Sequence, residues 1–148
     1  MTSAMAGVDA EALIARLGLR HHPEGGWYRE DFRDAPGDGG RGCLAHIVFL
    51  LKAGEVSRWH RIDVLEIWQY SAGSPLALSI AASGQAIQHI TLGGNPLTDE
   101  QPHAVVPPGA WQSARSLGPF TLVGCSTAPA FEFAGFELAA EGWEPPEP

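Results

Sequence analysis

Apolar side chains follow a helical period only near the start of the chain. Leu13, Ile14 and Leu17 fall on one face of a helix, and Asp9 precedes them as a good N-cap residue. A glycine follows Leu17, and glycine suits the left-handed residue that ends many helices. The pattern predicts one short helix over residues 9–17.

Beyond this helix, the apolar positions come in short runs that are bounded by Gly, Pro, Asp, Asn or Ser. Such runs predict β-strands. The predicted strands are residues 26–32, 43–51, 57–62, 66–71, 76–81, 86–92, 104–106, 111–114, 120–126 and 132–138. Short strands at this spacing are typical of a β-sandwich or a closed barrel.

Composition and charge narrow the class of protein. The 148 residues fit one domain, and 45% hydrophobic against 18% charged residues is an ordinary globular mixture. The net charge of -8 would repel nucleic acid and anionic membranes, and no basic run opposes it. The sequence shows no signal peptide and no apolar run of membrane-spanning length, so the expected location is the cytoplasm.

The two cysteines, Cys43 and Cys125, lie in or beside apolar runs. They are predicted to be buried reduced thiols that behave as small hydrophobic side chains. A disulfide between them stays open at this point. No paired Cys/His spacing of a structural zinc site occurs.

The candidate chemistry is concentrated in the stretch SRWHRIDVLEIWQYSAG, residues 57–73. Strand alternation places Arg58 with His60 on one face of the first strand, and Glu66, Trp68 and Tyr70 on one face of the next. If the link IDVL is a hairpin, these faces coincide, and a histidine and a carboxylate converge inside the barrel. Burying them is costly unless they pair with each other, a metal or a ligand.

The same stretch resembles the first motif of the cupin superfamily, whose spacing is matched by Gly54, His60, Glu66 and Gly73. Ile62 stands where that motif has its second histidine. Pro107 and Gly109 match the second cupin motif, in which Gln112 stands at the histidine position. The chain therefore keeps one of the three metal-binding histidines of the superfamily.

Four longer stretches resemble one cupin branch, catalogued as a domain of unknown function (Cupin type 5) and grouped with the sugar-nucleotide epimerase type of jelly roll. They are residues 22–30, 54–63, 105–114 and 121–138. The resemblance implies an all-β fold, a double-stranded β-helix or jelly-roll barrel with one short N-terminal helix. The expected layout is a helix and lead-in over residues 1–20, a cupin domain over 21–140 and an acidic, proline-rich tail over 141–148, anchored by Trp143.

The epimerase-type relatives imply metal-independent chemistry, in which a histidine base removes a proton next to a carbonyl and a tyrosine is the acid. For this chain, the resemblance implies His60 as the base, Glu66 or Asp63 as its partner, and Tyr28 or Tyr70 as the acid. The expected substrate is a small polar metabolite, such as a sugar or nucleotide-sugar that is isomerised or epimerised. A non-catalytic small-ligand-binding cupin is the alternative.

Further side chains are candidates for ligand contacts. Arg29 and Arg58 could clamp a carboxylate or phosphate, and Trp68 could stack on a ring. Gln112 is expected to line the pocket inside the barrel, and His22 its mouth. No cofactor is expected.

A divalent metal held weakly by His60, Glu66 and Gln112 is a further alternative, since this set is one strong ligand short. A homodimer is expected, with Trp59 facing outward into the interface.

Overall fold

Two antiparallel β-sheets form the protein in the computed structural model, which describes residues 9–146. Residues 1–8 of the predicted lead-in and 147–148 of the predicted tail lie outside the described residues. The strands are β1 (Arg20–His21), β2 (Trp27–Arg33), β3 (Ala45–Lys52), β4 (Val56–Ile62), β5 (Leu65–Gly73), β6 (Leu76–Ala81), β7 (Gln88–Leu92), β8 (His103–Val106), β9 (Trp111–Ser116), β10 (Phe120–Ala128) and β11 (Phe136–Leu138). One sheet has the order β1-β2-β3-β10-β5-β8 and the other the order β11-β4-β9-β6-β7.

Nine of the ten predicted strands agree with the structure to within two residues at each end. The tenth, predicted over residues 132–138, is a 3₁₀ turn at Phe133–Gly135 followed by the short strand β11. Strand β1 was not predicted, because two exposed residues are too few to carry an alternating pattern. The predicted all-β jelly-roll fold is confirmed.

The predicted helix is confirmed as α1 (Ala10–Leu17). The Asp9 carboxylate accepts a hydrogen bond from the Ala12 N–H at 2.7 Å, and Gly18 ends the helix with φ of 66°. Ile14 packs on the outer face of the first sheet, against Leu50 and Phe120. The helix therefore covers one face of a sheet and takes no part in the barrel interior.

The main core lies between the sheets. Both sheets contribute to it, through side chains that include Phe49, Leu51, Trp68, Leu76, Leu78, Leu92 and Val123. Trp68 is 1% exposed and packs edge-to-face on Phe49, with ring centroids 5.8 Å apart. Tightly packed apolar side chains fill this part of the barrel.

The predicted hairpin between β4 and β5 is wrong. Strand β4 pairs with β9 and β11, whereas β5 pairs with β10 and β8, so the link at residues 63–64 crosses from one sheet to the other. The two residues between the strands include Val64, which is buried. His60 and Glu66 therefore lie on opposite sheets and meet across the barrel interior.

The predicted common face of Arg58 and His60 is also wrong. The register of β4 against β9 shifts between Ser57 and His60, which is the mark of a β-bulge. The extra residue places Ser57 and His60 in the interior together and turns Arg58 out of phase. The Arg58 guanidinium donates instead to the carbonyl oxygen of Ala139 at 2.8 Å.

Trp143 anchors the tail, as predicted. Its ring lies 4.5 Å from that of Trp111 and 6.4 Å from that of Trp59. The Arg61 guanidinium stacks over Trp111 at 4.7 Å. The homodimer stays a prediction.

The prediction for the cysteines holds for one of them. Cys125 is buried, whereas Cys43 is exposed, because it precedes β3 in a loop and its N–H donates to the Asp34 carboxylate at 2.8 Å. Both are free thiols. None of the helical segments within residues 9–146 has the length and apolar character needed to span a bilayer.

Candidate functional site

A pocket of about 230 Å³ opens between the two sheets, beside the hydrocarbon core. Its polar lining is Arg20, His22, Glu24, Tyr28, Glu30, Arg33, His60, Glu66 and Thr127. Its apolar lining is Ala45, Ile47, Ile62, Cys125, Phe131, Phe133 and Phe136. Both His60 and Glu66 are buried, with 2% and 7% of their surface exposed. The prediction that they point into one shared cavity is confirmed.

The turn between β1 and β2 delivers His22 and Glu24 to this pocket. The His22 N–H donates to the Gly26 carbonyl oxygen at 2.9 Å, and the Glu24 carbonyl accepts from the Arg58 N–H at 2.7 Å. Gly25 has φ of 108°, and a Cβ there would lie 2.1 Å from the Val56 carbonyl oxygen. Only glycine lets the turn lie this close to β4. This close approach places the Glu24 carboxyl group inside the barrel.

Glu24 is the centre of a compact polar cluster. Its Oε2 accepts a hydrogen bond from the Ser57 hydroxyl and lies 3.5 Å from His60 Nε2. Its Oε1 lies 3.3 Å from His22 Nδ1. One carboxyl group thus contacts both pocket histidines, and the bulge in β4 is what brings Ser57 and His60 to it together.

Hydrogen bonds assign opposite tautomers to the two histidines. His60 Nδ1 lies 2.7 Å from the Arg58 carbonyl oxygen, which can only accept, so the neutral ring carries its proton on Nδ1 and a lone pair on Nε2. His22 Nδ1 accepts from the Glu24 N–H at 3.1 Å, so its proton sits on Nε2. The cluster therefore contains one imidazole acceptor and one imidazole donor.

Glu66 is held from behind by a chain of buried hydrogen bonds. The Trp68 N–H donates to Gln112 Oε1 at 2.7 Å, and Gln112 Nε2 donates to Glu66 Oε1 at 2.8 Å. Because the indole can only donate, the chain fixes which way the Gln112 amide points. Gln112 thus orients the carboxyl group that faces the pocket.

Burial keeps the cluster close to neutral. It raises the pKa of Glu24 to about 8, although the Ser57 hydrogen bond opposes the shift. It raises the pKa of Glu66 to about 7, with His60 opposing. It lowers the pKa of His22 to about 3, helped by His60, and it also lowers the pKa of His60. At neutral pH both imidazoles are uncharged, Glu24 holds its proton and Glu66 titrates.

Charged side chains at the pocket rim are largely paired. Arg33 forms a bidentate ion pair with Glu30 at 2.8 Å and donates to the Phe131 carbonyl oxygen at 2.6 Å. The Arg20 guanidinium lies 5.6 Å from the centroid of the Tyr28 ring. The charges of Arg33 and Glu30 offset each other, so the rim carries one net positive charge, on Arg20, at the edge of the nearly neutral interior.

Aromatic rings form one wall of the pocket. Phe136 stacks on the His60 ring with centroids 5.7 Å apart, and the ring of Tyr28 meets His22 edge-on at 4.5 Å. Phe131 and Phe133 pack against Phe136. A ligand would find titratable groups on one side and flat apolar surfaces on the other.

The structure brings together most of the residues predicted for the site. His22, Tyr28, His60 and Glu66 line the pocket. Gln112 and Trp68 do not line it, but they support Glu66 from behind.

Four predicted residues lie elsewhere, and one of them is Asp63, whose carboxylate pairs with the Arg41 guanidinium at 3.1 Å. Arg29 donates to the Leu17 carbonyl oxygen at the end of α1, at 3.3 Å, because it alternates to the outer face of β2. The Tyr70 hydroxyl donates to the Gly73 carbonyl oxygen at 2.6 Å, within the opposite part of the barrel. Arg58 lies in a separate groove beside Trp143, as the bulge in β4 requires.

Glu24, Ser57 and Thr127 belong to the site but were not predicted from the sequence. An acid between a histidine and two glycines, in HPEGG, was the available signal for Glu24, since such a turn can approach a neighbouring strand closely. Ser57 reaches the interior only through the bulge, for which the sequence offers no signal. Thr127 is an ordinary residue in an ordinary strand pattern.

The residues present do not fit the metal site that His60, Glu66 and Gln112 suggested. The only ligating atom of the Gln112 side chain, Oε1, already accepts from the Trp68 N–H, and its Nε2 faces Glu66. Turning the amide would set two donors against each other. Across residues 9–146, no group of three or more His, Cys, Asp and Glu side chains is arranged to hold a metal ion.

Solved structures with this fold include two of similar length. A protein from Shewanella oneidensis is 34% identical, with a TM-score of 0.84 over 89% of this chain and 85% of that chain. A hypothetical protein from Leishmania major is 29% identical, with a TM-score of 0.80 over 87% of this chain and 86% of that chain.

The oxalate decarboxylase of Bacillus subtilis shares the fold alone. It is 18% identical, with a TM-score of 0.62 over 80% of this chain and 29% of that longer chain. No curated protein matches the sequence. The sequence model of one family, described as the cupin superfamily (DUF985), matches residues 11–139. With that match over most of the chain, and the jelly-roll barrel that the structure shows, the chain belongs to the DUF985 family of the cupin superfamily.

Proposed function

We propose that the pocket binds a small, polar, uncharged metabolite and catalyses a proton transfer at the carbon next to its carbonyl, as in a sugar isomerisation. The observation that carries this proposal is the His60 imidazole, whose unprotonated Nε2 lies in an enclosed pocket beside two carboxyl groups that hold protons near neutral pH.

The size and charge of the pocket support a ligand no larger than a monosaccharide. A volume of about 230 Å³ lies below the range of about 300–1,000 Å³ that is usual for drug-sized ligands. A nucleotide-sugar would extend far beyond the rim. The nearly neutral lining favours an uncharged ligand, and the aromatic wall of Phe131, Phe133 and Phe136 suits the apolar face of a sugar ring.

His60 is the best candidate for the base. The Arg58 carbonyl holds its Nδ1 proton at 2.7 Å and leaves Nε2 free to accept a proton from carbon. Burial lowers the pKa of His60, so the ring stays unprotonated at neutral pH. The imidazolium that forms would be stabilised by Glu24, whose Oε2 lies 3.5 Å from Nε2.

Glu66 is the best candidate for the acid. Burial raises its pKa to about 7, so it can carry a proton and still release it. As His60 takes the proton from carbon, the electron pair moves onto the carbonyl oxygen, and the Glu66 proton meets it there. The His60 imidazolium then protonates the former carbonyl carbon of the resulting enediol. At the same time the hydroxyl on the carbon that lost its proton gives its own proton to the Glu66 carboxylate and becomes the new carbonyl, which completes the isomerisation and restores both residues. Tyr28 lines the same pocket and is the second candidate acid.

A non-catalytic binding role is the second candidate function. The hydrogen-bonded chain from Trp68 through Gln112 to Glu66 favours it, because a carboxyl group held this firmly suits a fixed ligand contact.

Solvent-deuterium exchange separates the two functions. The probes are the neutral aldoses and ketoses of five and six carbons, incubated with the protein in D₂O and followed by NMR. The wild-type chain is expected to incorporate deuterium next to the carbonyl of at least one sugar. His60→Gln should slow this exchange by about 10²–10⁴-fold while the sugar still binds.

His89→Gln is the matched control, since His89 lies on β7, where its Nδ1 contacts the Ser79 hydroxyl at 3.1 Å, outside the pocket. It should exchange at the wild-type rate. If a sugar binds to the wild-type chain and to His60→Gln and neither protein catalyses exchange, the binding role is supported and the catalytic role is wrong. Exchange that survives in His60→Gln would contradict His60 as the base.

A further inference from the structure

Thr127 lies in the pocket at the end of β10. Val123, Cys125 and Thr127 are buried at alternate positions of the strand, and the pocket lining includes Cys125 and Thr127. Thr127 is directly opposite Glu66 on β5 and Ala45 on β3. Directly opposite residues of antiparallel strands share a face, with Cβ atoms about 4.5–5.5 Å apart. The side chains of Thr127 and Glu66 therefore leave neighbouring strands side by side and both reach the pocket.

The Thr127 hydroxyl is not satisfied by the protein. Thr127 is only 5% exposed, and its Oγ1 is the one buried side-chain nitrogen or oxygen among residues 9–146 that has no hydrogen-bond partner. A buried hydroxyl without a partner destabilises a protein, so proteins rarely keep one without a use for it.

A second buried threonine on the same strand shows how different this is. Thr121 is completely buried, six residues before Thr127. Its Oγ1 lies 2.7 Å from the Ser116 hydroxyl and donates to the Ser74 carbonyl oxygen at 2.8 Å. The same side chain on the same strand is thus fully satisfied away from the pocket and unsatisfied within it.

We propose that the Thr127 hydroxyl and the Glu66 carboxyl group together bind two neighbouring oxygen atoms of the ligand, a hydroxyl next to a carbonyl or next to a second hydroxyl. The proposal rests on the small polar ligand of the proposed function and adds the residue that selects it. Thr127 acts as a specificity-determining contact, because a hydroxyl can both donate to and accept from the ligand. Because Thr127 and Glu66 are directly opposite on neighbouring strands and both line the pocket, two adjacent ligand oxygens can meet them together.

The selectivity follows from the buried position. A ligand that lacks the oxygen facing Thr127 would leave the hydroxyl unpaired in a closed, largely apolar space. A valine at position 127 has nearly the same shape and needs no partner, so it should tolerate the deoxygenated ligand and stabilise the free protein. A serine keeps the hydroxyl and should keep the selectivity.

Thermal unfolding provides the first test. Thr127→Val should raise Tm by about 2–4 °C, because it removes an unsatisfied buried hydroxyl. Thr121→Val is the matched control and should lower Tm, because it breaks two satisfied hydrogen bonds. If Thr127→Val lowers Tm as Thr121→Val does, the hydroxyl has a structural role or is satisfied by water, and the proposal is overturned.

Calorimetric titration provides the second test, with the neutral five- and six-carbon sugars and their monodeoxy analogues as probes. The wild-type chain and Thr127→Ser should prefer one sugar over its analogue, and Thr127→Val should lose about tenfold of that preference. An unchanged preference in Thr127→Val overturns the role of Thr127 and leaves the proposed function in place. If the wild-type chain binds none of these sugars, both the ligand class of the proposed function and this subsite are wrong.

Discussion

The two ends of β10 show opposite ways of handling buried polar groups. At one end, the Thr121 hydroxyl forms hydrogen bonds with the Ser116 hydroxyl and the Ser74 carbonyl oxygen, and the neighbouring core consists of apolar side chains. Around Thr127, six residues along the strand, the interior contains two histidines and two carboxyl groups whose charges burial suppresses. The groups at the Thr121 end stabilise the fold, whereas the buried titratable groups at the Thr127 end lower its stability.

This difference points to the pocket end as the functional part of the barrel. Buried titratable groups lower stability unless they bind something, and a site that works near neutral pH needs groups whose pKa values burial has shifted. The apolar end supplies the stability that lets the pocket end keep such groups. The comparison can be tested by changing one end at a time.

The largest effect is expected at the apolar end. Phe49→Ala removes a ring that is 1% exposed and packs on Trp68, so it should lower the free energy of unfolding by about 3–5 kcal/mol. Urea denaturation monitored by circular dichroism measures the change. Phe133→Ala, at the pocket and 53% exposed, is the control and should cost less than about 1 kcal/mol. Equal losses at the two positions would mean that the pocket wall is part of the stabilising core.

The next effect concerns pH and belongs to the pocket end. His22 and His60 have pKa values below those of the unfolded chain, so their contribution to stability falls as pH drops from about 6.5 towards 3. Glu24 and Glu66 have raised pKa values, so their contribution falls as pH rises from about 4.5 to 8. The two contributions oppose each other between about pH 4.5 and 6.5, so the net stability should be level there, fall at lower pH, and fall by about 2 kcal/mol at higher pH. Denaturant unfolding at a series of pH values measures the profile.

Glu24→Gln sharpens that profile. It should flatten the alkaline decline, because the group with a pKa of about 8 is gone. Glu30→Gln, which changes an exposed acid at the pocket rim, should leave the alkaline decline as it is. An alkaline decline that is unchanged in Glu24→Gln would show that the Glu24 carboxyl group is not the source.

The smallest effect concerns the support of Glu66. Trp68→Phe keeps an aromatic ring against Phe49 but removes the N–H that Gln112 Oε1 accepts, so it should cost about 1–2 kcal/mol in the free energy of unfolding. The variant should also loosen Glu66 and alter the alkaline part of the pH profile. Combining it with Gln112→Leu tests the coupling, since the double variant should cost less than the two single losses added together.

Several features of the fold and site follow from local pattern. Asp9 and Gly18 bracket the helix because capping is a contact between neighbours. Short apolar runs with turn residues between them correctly predict nine of the strands. The spacing of His60 and Glu66 within the cupin motif predicts that both face the pocket. These predictions depend on residues close together along the chain, and they are confirmed.

Other features depend on how distant segments meet. Strand alternation predicts Arg58 on the same face as His60. The bulge that the pairing of β4 with β9 introduces places Ser57 on that face instead. From the sequence, Gln112 is a candidate for a weak metal ligand. In the fold, its side-chain oxygen accepts a hydrogen bond from the Trp68 N–H.

Short-range periodicity in the sequence therefore determined an all-β sandwich or barrel and its capped helix. The resemblance to the cupin motifs added the jelly roll and placed His60 and Glu66 at the site. The tertiary structure alone decided that Glu24 contacts both pocket histidines, that Gln112 is a hydrogen-bonded support and that Thr127 is without a partner while Thr121 is satisfied. The physical reason is that protonation, tautomer and hydrogen-bond satisfaction depend on which groups from distant parts of the chain share a buried space.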